Sequence, residues 1–383
     1  MKNAITLFAA LLFSLKSISQ IQPAGVVNTL IGYWHNWSDA NAPYIQLDKI
    51  DSRYNVVEVA FATPLSPSDM HMQFTPDVVT QSSFISSMRV LQGQGKKVLI
   101  SVGGANASVD LTTTANKNAF VSSMTSIINT YGFNGMDIDI ENGNSILITG
   151  GTISSPTNIA QINLINAVKE IMANYRSTYH KKMLLTMAPE TAYVQGGQSA
   201  YGSIWGGYLP IIDALRDSIA VLQVQLYNSG SMYGIDGNIY TQGNADFIVS
   251  MTEAVIQGFN TAGGLFKGLP ASKVAVGLPA CKMAAGDGYV DTPSVRKAIN
   301  YLRGDGPKPG SYTLVKPDGY PTLRGMMTWS VNWDATPNCG PVYEYADNYD
   351  RIFNGKTCCP PPVATFIPGA PANGANIYPE VIE

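Results

Sequence analysis

Residues Phe133–Asn142 read F-N-G-M-D-I-D-I-E-N. Three acids, Asp137, Asp139 and Glu141, alternate with Met136, Ile138 and Ile140. A period of two is the pattern of a β-strand whose faces differ. The carboxyls therefore share one face, with neighbours roughly 7 Å apart along the strand. Ionised acids on a dry face repel, so at least one of them keeps its proton. Such a file can hold a proton near neutral pH, which is what a general acid needs. A solvated acidic strand is the competing reading. Its face would mix in Lys, Ser or Thr, and here the lead-in Tyr131, Gly132, Phe133 and Gly135 is apolar or glycine. The strand reads as buried on both sides.

Seven other apolar runs frame this one. Leu30–Trp34, Asn55–Phe61 and Lys97–Val102 precede the acid strand, placed at Asn134–Glu141. Met183–Ala188, Val221–Tyr227, Lys273–Pro279 and Arg324–Val331 follow it. Helical patterns lie between several of them, at Lys117–Tyr131, Ile159–Tyr179, Ala245–Phe259 and Ser294–Leu302. Eight β-α units with near-continuous apolar strands predict a single α/β domain, a (β/α)8 TIM barrel. A doubly wound open sheet is the runner-up. It wants a Gly-rich phosphate turn after its first strand, where this chain has Trp34-His35-Asn36-Trp37. The interval Ala280–Leu323 holds one helix and a Gly/Pro turn, which leaves no room for a large α+β insertion.

In such a barrel the chemistry collects at the C-terminal ends of the strands. Those ends supply Tyr33, Trp37, Phe61, Ser101, Glu141, Met187, Glu190, Gln225, Tyr227, Asn228 and Trp329. Aromatic residues and neutral amides around a knot of acids suit a sugar, whose rings stack on aromatic faces while amides meet its hydroxyl and acetamido groups.

These stretches resemble glycoside hydrolase family 18, the chitinases and their relatives. The acid run resembles the family's D-x-x-D-x-D-x-E signature, with Asn134 in place of its first acid. G-Y-W, S-V-G-G, M-A-P-E, Q-V-Q-L-Y-N and M-T-W-S-V-N-W-D follow in the family's order, across about Asn28 to Gly355. The resemblance implies that Glu141 is the general acid and that Asp139 orients the substrate's acetamido group. It implies that Asp137 shares a proton with Asp139, that Tyr227 binds the acetamido carbonyl, and that Trp329 floors the distorted sugar. Gln225, Asn228, Met187, Tyr33, Phe61, Ser101, Glu190 and Trp37 are then expected to bind substrate. The activity implied is an endo-acting, retaining, substrate-assisted chitinase that needs no cofactor and no metal. An endo-β-N-acetylglucosaminidase of N-glycan cores is the alternative. A chitin-binding lectin fits less well, because such lectins lack the terminal acid that Glu141 supplies.

Composition agrees with a neutral polymeric substrate. Of 383 residues 13% are charged, the net charge is −3, and there are twenty Tyr and five Trp. Nothing in this balance calls for nucleic acid. Met1 to about Ser19 has the build of a secretory signal, with Lys2, an apolar run Ala4–Leu15 and small residues at Ser17-Ile18-Ser19. Residues 20–27 read as a lead-in, 28–357 as the catalytic barrel and 358–383 as a Pro-rich tail. The mature protein is expected to be secreted, extracellular or periplasmic, free of the membrane and monomeric, with chitin or its oligosaccharides as partner. Export permits disulfides among Cys281, Cys339, Cys358 and Cys359. Three pairings are open, and Cys281–Cys339 is favoured because both residues would follow late strands.

Overall fold

The computed structural model describes residues 28–355. The expected leader 1–19, the lead-in 20–27 and the tail 358–383, with Cys358 and Cys359, lie outside the described residues. Eight parallel strands form the barrel: β1 (Thr29–His35), β2 (Val56–Ser66), β3 (Lys97–Gly103), β4 (Gly135–Asp139), β5 (Leu184–Met187), β6 (Val221–Leu222), β7 (Ala275–Pro279) and β8 (Gly325–Trp329). Each pairs with its sequence neighbour from β1 through β6, and β8 lies between β7 and β1. The circle closes between β6 and β7 through two isolated bridges, Leu222 to Val274 and Gln225 to Gly277. The eighth ladder is therefore the weakest, and β6 is far shorter than the expected Val221–Tyr227.

Alternation along the strands sorts the core into two layers. Ile31, Tyr33, Ala60, Ala188, Val221, Ala275 and Met327 fill the barrel interior. Their neighbours, such as Leu30, Trp34, Val59, Met187 and Met326, pack outward against the helices. That outer shell is α1 (Gln81–Gly93), α2 (Thr114–Tyr131), α3 (Ile159–Tyr179), α4 (Leu209–Leu215), α5 (Ala245–Gln257), α6 (Thr292–Arg303) and α7 (Glu344–Phe353). Side-chain caps set several starts: Thr113 accepts from Asn116 N–H before α2, and Asp291 accepts from Ser294 N–H before α6. These caps start both helices earlier than the apolar pattern alone indicates. Gly258, at φ 80°, ends α5 one turn's fraction before the expected Phe259, which instead opens a hairpin.

The second strand also departs from expectation. It runs on to Ser66, and Asp69–Gln73 returns antiparallel to it as a strand that the apolar pattern does not mark. Between β7 and β8 the chain holds a single 3-10 turn and α6. Among the described residues no α+β insertion interrupts the barrel, only small hairpins. Cys281 and Cys339 form a disulfide, with Cα atoms 5.5 Å apart, that ties the segment after β7 to the segment after β8.

Candidate active site

The acid file lies on β4 and its continuation. Asp137 is fully buried and Asp139 is 3% exposed, while Glu141 is partly exposed at the mouth. Asp137 is held from three sides: Tyr33 and Ser101 each donate to its Oδ2 at 2.7 Å, and Thr186 lies 2.7 Å from its Oδ1. Asp139 accepts from the Gln225 amide at 2.8 Å, and the same nitrogen lies 3.3 Å from Glu141. Gln225 is itself steadied by the Ala188 carbonyl at 2.9 Å.

The continuous ladder ends at Asp139, with one isolated bridge from Ser108 to Asn142 beyond it, and two tyrosines aim Glu141. The Tyr208 hydroxyl donates to the Ile140 carbonyl at 2.7 Å and accepts from the Ile140 N–H at 2.8 Å. Tyr193 donates to the Glu141 carbonyl at 2.6 Å. Gly103 lets the β3 end approach closely: a Cβ there would meet the Asp139 carbonyl oxygen at 2.3 Å, and its φ of 113° is glycine territory. Asn134, in place of the signature's first acid, accepts from Val98 N–H at 2.9 Å and from Gln92 at 3.2 Å. That position needs an acceptor, and an amide oxygen supplies one without charge.

Burial raises the proton affinity of every acid in the file. Asp139 is pushed well above the usual carboxyl range by burial, then by the charges of Glu141, Asp137 and Glu58. Burial raises Glu141 too, against the Gln225 hydrogen bond. Burial raises Asp137, and its hydroxyl donors oppose the rise. Glu190 is lifted to about 7 by burial and the nearby Glu141.

One cavity of about 930 Å³ opens over the file. Trp37, Phe61, Asp139, Glu141, Glu190, Gln225, Tyr227, Asn228 and Trp329 all line it. Trp329 and Phe61 stack, with centroids 5.8 Å apart and planes 8° apart, and Trp37 stacks on His35 at 4.7 Å. Burial pushes His35 down to about 4, so its ring is neutral packing. From the acids the cavity runs along Thr63–Pro67 of the β2 hairpin and Ala105–Ser108 after β3.

Three expected substrate contacts are not in that cavity. Tyr33 and Ser101 lie beneath it and grip Asp137. Met187 is fully buried in the outer layer and faces the helices. Alternation explains the last case: Thr186 and Ala188 face inward, so the residue between them cannot. Asp334 is likewise turned away, accepting from Tyr54 at 2.7 Å and from the N–H of Tyr345 at 2.8 Å. The residues that sequence reasoning missed are Glu58, Thr186, Tyr193 and Tyr208. Of these Glu58 carried a signal, as a lone acid in the apolar run N-V-V-E-V-A-F, and Thr186 another, by its parity with Ala188.

The comparisons with known proteins agree with this geometry. Residues 29–341 match the model of glycosyl hydrolases family 18. The chain is 48% identical to chitinase D of Niallia circulans and 46% identical to chitinase Chi52 of Paenibacillus xylanexedens, in each case over 81% of this chain and 59% of the relative. It thus spans under two thirds of the length of these relatives. A crystal structure of a family GH18 chitinase from Chromobacterium violaceum superposes with a TM-score of 0.73 at 36% identity, covering 84% of this chain and 82% of that one. Family match, relatives and barrel agree, and the chain belongs to glycoside hydrolase family 18.

Proposed function

We propose that the protein is a chitinase that cleaves β-1,4 links between N-acetylglucosamine units. One observation carries the reading: Glu141, half-buried and with its proton affinity raised by burial, stands at the cavity wall beside Asp139, in the cavity lined also by Tyr227 and Trp329. The names of the two relatives support the substrate class. In the mechanism proposed, Trp329 and Phe61 carry a sugar face. Glu141 gives its proton to the leaving glycosidic oxygen. The sugar's own N-acetyl oxygen attacks the anomeric carbon from the opposite side, with Asp139 holding the acetamido N–H and Tyr227 the carbonyl. Glu141 then takes a proton from the water that opens the ring intermediate, so configuration is retained. Retaining glycosidases usually need a second carboxylate about 5 Å away, and this family is a general exception because the substrate supplies the nucleophile.

Endo-type cleavage is part of the proposal. The groove is walled by the β2 hairpin and short loops only, which leaves both directions open to a chain. A release profile from soluble chitin dominated by disaccharide in the first minutes would overturn it. Export is proposed on the leader-like composition of residues 1–19, and the N-terminus of protein recovered from the medium tests it.

The deciding experiment sets wild type and Glu141→Gln side by side on chitin oligosaccharides and on an N-glycosylated protein. Wild type should cleave the former. The variant should lose about 100-fold or more in kcat with binding kept, because a proton donor acts in the transition state. Cleavage confined to the glycoprotein would favour the endo-β-N-acetylglucosaminidase reading, and binding without cleavage by wild type would favour a lectin.

A further inference from the structure

Glu58 is a fourth carboxyl in the barrel floor, and the mechanism above does not use it. It sits on β2, paired in register with Tyr33, and is fully buried. Its Oε1 lies 2.8 Å from the Thr186 hydroxyl, and its Oε2 accepts from the Gln223 amide at 2.6 Å. That Thr186 hydroxyl lies 2.7 Å from Asp137 as well. A hydroxyl has one hydrogen and two lone pairs. It can donate to only one of two carboxylates, so one of the two must carry a proton and donate back. Asp137 already receives Tyr33 and Ser101. The Tyr33 hydroxyl also borders Glu58, but its hydrogen goes to Asp137.

We propose that Glu58 is a positioning residue held as the neutral acid, which donates to Thr186 so that Thr186, Tyr33 and Ser101 all donate to Asp137. Asp137 then carries the one fixed charge of the floor, and the next proton resides on Asp139, facing the substrate. Burial and the Asp137 charge both favour the protonated form of Glu58. The titratable groups that face it are Tyr33 from β1 and Asp137 and Asp139 from β4. The neighbours from β3, from β5 and from the segment just after β6 are Leu99, Thr186 and Gln223, none of which titrates.

The test compares Glu58→Gln with Glu58→Leu, and Thr186→Ser with Thr186→Val. Gln reproduces the neutral acid, its N–H meeting Thr186 and its oxygen meeting Gln223. Glu58→Gln and Thr186→Ser should keep kcat within about threefold and leave the pH profile in place. Glu58→Leu and Thr186→Val should lose about ten-fold in kcat with KM held, a fraction of what a positioned proton donor contributes. In Thr186→Val the acidic limb should move to higher pH, because Asp137 loses a donor to its ionised form. In Glu58→Leu the Thr186 hydroxyl still donates to Asp137 but loses the donor that fixes it, and the limb should stay in place. Difference infrared spectra of wild type against Glu58→Gln should show a neutral carboxylic-acid band that persists at pH 8. A carboxylate band in its place, a shifted profile in Glu58→Gln, or failure of that isostere to fold would overturn the proposal. The kinetic part rests on the chitinase reading. The infrared part needs no substrate, so an inactive wild type would sink the reading alone.

Discussion

Gln225 donates its side-chain N–H to Asp139 at 2.8 Å from the segment just past β6, which meets β7 through isolated bridges only. That nitrogen also reaches Glu141 and favours the ionised form of both acids. Removing it in Gln225→Ala should raise both pKa values further. The expected result is a loss of about 10-fold to 100-fold in kcat, with the alkaline limb of the profile moved to higher pH, because Glu141 keeps its proton longer. Steady-state rates between pH 4 and pH 9 check it.

Glu190 should act in the opposite sense. Its carboxyl titrates at about 7, raised by burial and by the Glu141 charge, and repulsion between two neighbouring carboxylates is mutual, so the Glu190 charge disfavours ionised Glu141 in turn. In Glu190→Gln that charge is gone, Glu141 ionises earlier, and the alkaline limb moves to lower pH. Opposite displacement of one limb by two neighbours separates an electrostatic role for Glu190 from a purely steric one.

Asp139→Asn should trade turnover for stability. The folded protein holds the Asp139 proton well above the ordinary carboxyl pKa, whereas the unfolded chain releases it near 3.9. Folded and unfolded states bind this proton alike below that value. As pH rises from about 4, the unfolded state gains and the protein loses stability. Asparagine cannot ionise, so the variant's melting temperature should match wild type near pH 3 and exceed it increasingly toward neutrality. Its kcat should fall by at least about 100-fold.

Gly103→Ala places a methyl group 2.3 Å from the Asp139 carbonyl oxygen at a φ of 113°. Both the contact and the backbone are unfavourable, and the backbone of the acid file must move. A loss of about 2 kcal/mol or more is expected, read from thermal or urea unfolding, together with a fall in kcat.

What could be read from the chain and what could not divides along one physical line. Alternation placed Asp137, Asp139 and Glu141 on one face, and the same rule brought Gln225 to them. At M-A-P-E the motif points to Met187, whereas alternation taken residue by residue turns Thr186, one position earlier, inward. A one-residue slip exchanges the faces of a strand. Glu58 was legible as an oddity but not as a partner, since its meeting with Thr186 exists only once the barrel closes. Tyr193 and Tyr208 lie outside the strands, where no periodicity indicates what a hydroxyl will touch. The β6 ladder is shorter than its apolar run because such a run signals burial, not how many ladder bonds a strand makes. The Cys281–Cys339 pairing was legible because both cysteines follow neighbouring strands.

The lightly bridged gap between β6 and β7 has a bearing on turnover. Gln225 sits on that gap, and Tyr227 follows it. Two groups proposed to grip the acetamido arm thus ride on the stave that the barrel holds least firmly. An occupied site would stitch the stave in place, and departure of product would loosen it. Amide hydrogen exchange at Gln223–Tyr227 should slow markedly with an oligosaccharide bound, while the amides of β4 stay protected throughout.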